Sequence, residues 1–135
     1  MRLKTLLLLA VFAVAASGCG AVATISSGNP AVGKTLFVQK CGACHTLANA
    51  KTTGTVGPNL DDAFAADKQQ GFHVSTITDV VRGQIAYAES NPGTGQPGMT
   101  PNLVTGQDAK DVSVYVAICS AVPNCEVKNE NVSVK

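Results

Sequence analysis

The chain has 135 residues, of which 45% are hydrophobic, 14% charged and 4% aromatic, and its formal net charge is +1. The length suits one compact domain, and the near-neutral charge excludes the basic surface by which a protein binds nucleic acid. Because the chain has no Trp and only four Phe, we expect a core of small aliphatic side chains completed by a group that is not protein.

The first 18 residues are predicted to be a cleaved export signal. Arg2 and Lys4 precede an almost wholly apolar run from Leu6 to Ala16, which is the order of a secretory signal. A transmembrane anchor is the alternative, but the run falls short of the roughly 20 apolar residues that a bilayer requires. Of ten basic and nine acidic residues, the signal removes two basic ones, so the mature chain has a net charge of −1.

Two cleavage sites compete at the end of this signal. Residues 16–19 resemble the bacterial lipoprotein box, in which Cys19 becomes the lipidated first residue, whereas residues 21–23 (Ala-Val-Ala) favour ordinary cleavage after Ala23. Lipidation of Cys19 also accounts for the odd number of cysteines. We therefore expect export to the periplasm or the outer face of the cytoplasmic membrane, with a lipid anchor in the membrane surface and residues 19–28 as a flexible tether.

Residues 29–119 are predicted to form an all-α domain of about four short helices. Asn29 is a capping residue followed at once by a proline, which is typical of a helix start. A weaker helix is expected over residues 61–70, another from Ser75, and a last one over residues 107–119. No segment longer than a few residues alternates with period two, so we expect little or no sheet.

Helical spacing groups side chains on one face of each longer helix. The residues expected to share a face are Gly33, Leu36, Phe37 and Lys40 in the first helix, Ile77, Val80, Val81 and Ile85 in the helix from Ser75, and Val112, Tyr115, Val116 and Cys119 in the last. Residues 91–101 contain three Gly and three Pro, which predicts a loop. Isolated helices of about a dozen residues are marginal in water, so a bound group is expected to complete the core.

The sequence Cys41-Gly42-Ala43-Cys44-His45 is the attachment motif of c-type haem. Two thiols three residues apart can each add to one vinyl group of the macrocycle, and the adjacent imidazole can bind the iron. A thiol–disulfide exchange pair is one alternative, but it normally occurs in a βαβ context. A zinc site is another, in which Cys119 and Cys125 would be the further ligands, although five intervening residues are an unusual spacing.

Over residues 29–119 the chain resembles the bacterial class I c-type cytochromes, which carry one haem with His and Met as axial ligands. The resemblance rests on the haem motif, on residues 55–60 (Thr-Val-Gly-Pro-Asn-Leu), on a Met in a Gly/Pro-rich loop, and on a last helix with an aromatic residue. It implies that the Pro58 carbonyl orients His45. It also implies that Tyr115 lies where the last helix crosses the first, near the haem, with Gly33 permitting the close approach.

Met99 is the expected sixth ligand of the iron. Met1 leaves with the signal, and Met99 lies between Pro97 and Pro101, outside any helical stripe and in a position where a core-filling role is less natural. His73 is the alternative ligand, but it directly precedes a predicted helix start, which is a poor position for reaching the iron in this fold.

Cys119 and Cys125 enclose a short loop, and the exported context permits a disulfide between them. We expect such a bond to hold the end of the last helix, with residues 120–135 forming a C-terminal tail that frays after Cys125.

With His45 and Met99 on the iron, no coordination position remains for a substrate, so the protein is expected to be a one-electron carrier and not an enzyme. Its partners are then transient redox proteins, such as a membrane oxidase or reductase or a quinol-oxidising complex. Two alternatives stay open. One is a haem enzyme or gas-binding sensor with a labile or absent sixth ligand, and the other is a cytochrome subunit of a larger oxidoreductase complex.

Overall fold

The computed structural model describes residues 27–88, 98–122 and 124–134. Its helices are α1 (Pro30–Lys40), a 3₁₀ turn (Ala48–Ala50), α2 (Leu60–Ala63), α3 (Ala65–Gln69), α4 (Val74–Ala86) and α5 (Gly106–Cys119). Its strands are β1 (Ser27–Gly28), β2 (Thr46–Leu47), β3 (Thr52–Thr53) and β4 (Val132–Ser133), which pair as two antiparallel ladders, β1 with β4 and β2 with β3. The predicted all-α class is confirmed, since each strand has only two residues.

Helix α1 begins where the capping residue predicts. The side chain of Asn29 accepts hydrogen bonds from the backbone N–H groups of Ala31 and Val32, at 3.1 and 3.3 Å. The backbone N–H of Asn29 donates to the buried carboxylate of Asp111 at 2.9 Å. The start of α1 is therefore capped by its own residue and also fastened to α5.

Helices α1 and α5 cross at Gly33. A Cβ atom built on Gly33 would lie 2.0 Å from the carbonyl oxygen of Asp111 and 2.8 Å from the Cβ of Tyr115. Only glycine permits this approach. One turn further along, the ring of Phe37 meets that of Tyr115 edge to face, with centroids 6.0 Å apart. The predicted crossing of the first and last helices is thus the centre of the core.

Helix α4 packs against α5 through a narrower stripe than the sequence predicts. Ile77, Val81 and Ile85 are buried, but Val80 is 55% exposed, so its assignment to the inward face is wrong. The inward face includes Thr78, whose hydroxyl donates to the carbonyl of Val74 at 2.8 Å. With its polar atom satisfied inside the helix, Thr78 is buried at little cost.

The helix predicted over residues 61–70 is interrupted at Phe64. This residue has φ −112° and ψ 4°, outside the helical region, and its side chain packs against the core. The segment therefore divides into α2 and α3. Packing of one aromatic side chain outweighs the weak helical propensity of this stretch.

Both ends of the domain differ from their predicted form. Ser27 pairs with Ser133 and Gly28 with Val132, so the tether cannot include residues 27–28 and the tail is not frayed at β4. The backbone groups of the two strands satisfy one another, which stabilises both segments. The predicted signal, Cys19 and the rest of the tether lie outside the described residues, as do residues 91–97 of the predicted loop.

The end of α5 is closed by a disulfide between Cys119 and Cys125, whose Cα atoms are 5.3 Å apart. Cys119 is buried and Cys125 half-buried. Within the described residues, no helix has the length and apolar character needed to cross a membrane.

Candidate haem-binding site

The residues of the attachment motif form a tight turn at the end of α1. The backbone N–H of Cys41 donates to the carbonyl of Phe37 at 2.8 Å, and those of Cys44 and His45 both donate to the carbonyl of Cys41 at 3.0 Å. Both thiols are free; that of Cys41 is buried and that of Cys44 exposed. A planar group attached to both would therefore have one edge against the core and one at the surface.

The imidazole of His45 is held by the segment that follows β3. Its Nδ1 lies 2.9 Å from the carbonyl oxygen of Pro58. Because a carbonyl oxygen only accepts, Nδ1 carries the proton in this hydrogen bond, which leaves the lone pair of Nε2 for a metal ion. The predicted partner of His45 is thus within hydrogen-bonding distance of the expected atom.

Gly57 lies directly against the same ring. A Cβ atom built on Gly57 would come within 2.5 to 2.9 Å of three atoms of the His45 imidazole, and the Gly57 backbone N–H donates to the carbonyl of Cys44 at 2.8 Å. The backbone of residues 57–58 therefore packs against the ring from a distance that no other residue type permits.

The chemistry of the two motif thiols favours haem attachment over the alternatives. Burial, with a smaller contribution from Cys44, raises the pKa of the Cys41 thiol to about 11. A thiol–disulfide exchange pair needs a lowered thiol pKa. Cys119 and Cys125, the further ligands that a zinc site would use, are joined in a disulfide. Two free thiols beside an imidazole with an available Nε2 are the donor set that haem c requires.

Met99 and His73 occupy different environments. Met99 is half-buried and packs against the core, and three residues later the backbone N–H of Asn102 donates to the carbonyl of Ile85 at 2.7 Å, which fastens this loop to α4. His73 is exposed and precedes α4 as its N-terminal flanking residue.

Tyr115 has a second contact that the sequence does not indicate. Its ring is fully buried, and its hydroxyl donates to Oδ1 of Asn49 at 2.9 Å. Sequence reasoning missed Asn49 and the role of Gly57 at this site. It also missed Asp61, whose carboxylate accepts hydrogen bonds from the backbone N–H groups of Ala48 and Ala121. Gly57 could have been found within the segment shared with the cytochromes, whereas a lone Asn and Asp in a short polar stretch carry no signal of their long-range contacts.

Comparisons with known proteins identify the family of this chain. Residues 30–118 match the cytochrome c family. Photosystem II extrinsic protein V of Rippkaea orientalis (strain PCC 8801 / RF-1) is 29% identical over 113 residues, which span 78% of this chain and 70% of that protein. Photosystem II extrinsic protein V of Microcystis aeruginosa is 25% identical over 107 residues, 73% of this chain and 78% of that protein. The match extends from the start of α1 nearly to the end of α5, so this chain belongs to the cytochrome c family and carries one covalently attached haem c.

Proposed function

We propose that this protein is a one-electron carrier whose haem is attached to Cys41 and Cys44 and whose iron is bound by His45 and Met99. The observation that carries the proposal is the hydrogen bond between Nδ1 of His45 and the Pro58 carbonyl, which orients the ring and raises its basicity as an iron ligand. When bound, haem supplies a one-electron couple between Fe(III) and Fe(II).

The exposure of the motif gives the electron a short route to a partner. Cys44 is exposed while Cys41 is buried, so the thioether at Cys44 marks an edge of the site that a partner can approach. No catalytic role for the protein is needed in this scheme. In this scheme the residues of the protein hold the haem, exclude water from its inner edge and leave its outer edge accessible to a redox partner.

Met99 completes the proposed coordination. Its half-buried position against the core and the anchoring of its loop through Asn102 and Ile85 support a fixed thioether. A thioether favours the reduced iron and raises the reduction potential. With His45 and Met99 both bound to it, the iron would have no position left for a substrate, which favours a carrier over an enzyme.

The optical spectrum of the purified holoprotein tests this ligation. We expect a sulfur-to-iron charge-transfer band in the oxidised protein and no change when carbon monoxide is added to the reduced protein. The Met99→Ala variant should lose the band, bind carbon monoxide and have a lower midpoint potential, while Thr100→Ala, at the next and exposed position, should keep the parent's properties. Carbon monoxide binding by the parent would instead support a gas-binding or catalytic haem.

The carrier is proposed to work on the exported side of a membrane, held there by lipid on Cys19. Its partners would be a membrane oxidase or reductase or a quinol-oxidising complex. The predicted lipoprotein box supports the anchor, and the intact mass of the mature protein tests it. A chain that starts at Cys19 with added acyl mass agrees with the anchor, and a chain that starts at Thr24 contradicts it.

A subunit of a larger membrane complex is the second candidate. It is favoured by the two relatives, which are named as extrinsic proteins of photosystem II. The two candidate functions differ in how tightly the protein binds its partner proteins. Membranes solubilised in mild detergent should release an affinity-tagged free carrier alone, whereas a subunit should co-purify with fixed partners in constant ratio.

A further inference from the structure

The segment that follows His45 is fastened to the far end of the chain. Thr46 and Leu47 form β2, and the 3₁₀ turn Ala48–Ala50 comes directly after it. Leu47 is fully buried. Three residues therefore separate the proposed iron ligand from Asn49, and the backbone between them has little freedom to move independently of its anchors.

Asn49 makes two hydrogen bonds to distant residues. Its Oδ1 accepts from the hydroxyl of Tyr115 at 2.9 Å, and its Nδ2 donates to the carbonyl of Cys125 at 2.7 Å. One partner of Asn49, Tyr115, thus lies on α5, and the other, Cys125, is joined to the end of α5 by the disulfide.

Asp61 makes a second bridge, to the loop that the disulfide closes. Its Oδ2 accepts from the backbone N–H of Ala48 at 2.8 Å, and its Oδ1 accepts from that of Ala121 at 3.0 Å. We call Cys119, Ala121 and Cys125 the C-terminal clamp. Two neighbouring backbone positions after His45 are therefore held, through two different side chains, to the residues that the disulfide closes.

We propose that Asn49 is a positioning residue for His45, which holds the segment after this ligand against the C-terminal clamp. The inference rests on the proposed function, because it takes His45 as an iron ligand. With the clamp closed, the carbonyl of Cys125 is fixed beside Asn49, and the segment after His45 would limit the access of water to this side of the haem. Opening the disulfide frees that carbonyl and loosens the segment.

The reduction potential of the haem reports this positioning. Fe(III) haem carries one more positive charge than Fe(II) haem, so water that enters near the iron stabilises the oxidised state and lowers the potential. We expect a lower midpoint potential in Asn49→Ala and in the double variant Cys119→Ala/Cys125→Ala. In the double-variant background, Asn49→Ala should have a smaller further effect, because one of its two partners is already displaced.

Asn129→Ala is the matched control. It removes the same atoms from an exposed residue, whose Oδ1 accepts from Nδ2 of Asn29 at 2.9 Å, and it should leave the potential unchanged. Thermal unfolding is recorded for every variant. A lower melting temperature in Asn49→Ala with an unchanged midpoint potential would assign Asn49 a merely structural role and overturn the proposal. The proposal is also overturned if the potential shifts of Asn49→Ala and of Cys119→Ala/Cys125→Ala add in full when the substitutions are combined.

The disulfide can also be opened without a substitution, which covers the case of a variant that does not fold. A water-soluble phosphine cleaves the bond in the folded parent to two thiols and is itself oxidised, taking its oxygen from water. The midpoint potential should fall as the thiols appear, and a constant potential contradicts the proposal. The sulfur-to-iron charge-transfer band of the parent tests ligation by Met99 separately. Failure of the carrier proposal is therefore distinguishable from failure of the proposal that Asn49 positions His45.

Discussion

The orientation of the His45 imidazole is restricted by its immediate neighbours. Its Nδ1–H donates to the carbonyl oxygen of Pro58 at 2.9 Å, and a Cβ atom on Gly57 would come within 2.5 Å of the ring. The ring is therefore held by a hydrogen bond and by direct contact with backbone. As the proposed iron ligand, a ring held in this way would keep its orientation when the charge on the iron changes.

Tyr115 should make stability depend on pH in the alkaline range. Burial, with a smaller contribution from the charge of Asp61, raises the pKa of the Tyr115 hydroxyl above its ordinary value. In the unfolded chain this hydroxyl ionises near pH 10, so above that pH the unfolded state binds fewer protons than the folded state. This hydroxyl then lowers the free energy of unfolding by about 1.4 kcal/mol per pH unit as the pH rises, and has no such effect below about pH 10.

Denaturant unfolding of the parent and of Tyr115→Phe checks this dependence between about pH 8 and about pH 11.5. At the lower pH the variant should be less stable by about 1 kcal/mol, since Asn49 loses a hydrogen bond, and the difference should narrow as the pH rises past 10. Tyr87→Phe, which removes the hydroxyl of a ring that is 87% exposed, is the control. A Tyr115→Phe difference that stays constant over this range would contradict the argument.

Among the helices, the crossing of α1 and α5 decides where the haem motif lies. Helix α1 ends at Lys40 and the motif begins at the next residue, so the angle and distance at Gly33 place the motif relative to α5. The same contact brings Phe37 onto Tyr115. One glycine therefore sets both the packing of the core and the position of the attachment turn.

Gly33→Ala and Gly83→Ala form a matched pair of helix substitutions. The new methyl group at position 33 would overlap the carbonyl of Asp111, so we expect the free energy of unfolding to fall by about 3 kcal/mol. At position 83 a Cβ atom has no neighbour within 4 Å, and the same change should stabilise α4 by about 0.5–1 kcal/mol. Urea unfolding measures both, and equal effects at the two positions would refute the close crossing.

At the scale of the whole molecule, the C-terminal segment is joined to α5, to β1 and to the start of α1. The disulfide joins Cys125 to α5, β4 pairs with β1, and the side chains of Asn29 and Asn129 are hydrogen-bonded at 2.9 Å. The C-terminal segment is therefore part of the fold, and it passes close to the residues that follow His45.

Loss of the disulfide should lower the stability of the whole domain. For a loop of this length, the chain-entropy account gives a contribution of about 2 kcal/mol. We expect the free energy of unfolding of Cys119→Ala/Cys125→Ala to be lower by about that amount, measured with urea on the holoprotein. Reduction of the parent, which keeps both sulfur atoms in place, separates the effect of the bond from that of the buried sulfur. Unchanged stability after reduction would mean that the bond adds nothing to the fold.

The sequence alone determined those features that depend on neighbours in the chain. The spacing of Cys41, Cys44 and His45 identifies the haem chemistry, because one turn of backbone brings these groups together in any fold that contains it. The cap at Asn29 follows equally from local rules. Helical spacing also placed Val112, Tyr115, Val116 and Cys119 in the core, but it did not show that α5 is buried on its other faces as well, including Val114 and Ala117. The same rules placed Val80 on the wrong face, because its helical spacing does not tell which neighbours α4 will have.

Only the tertiary structure decided which distant groups meet. Asn49 contacts residues that are 66 and 76 positions away, and β1 meets β4 across the length of the domain. No periodicity or spacing in the sequence encodes such pairs. They arise because the Gly33 crossing sets α5 against α1, and the polar groups brought together there lose water and must satisfy one another.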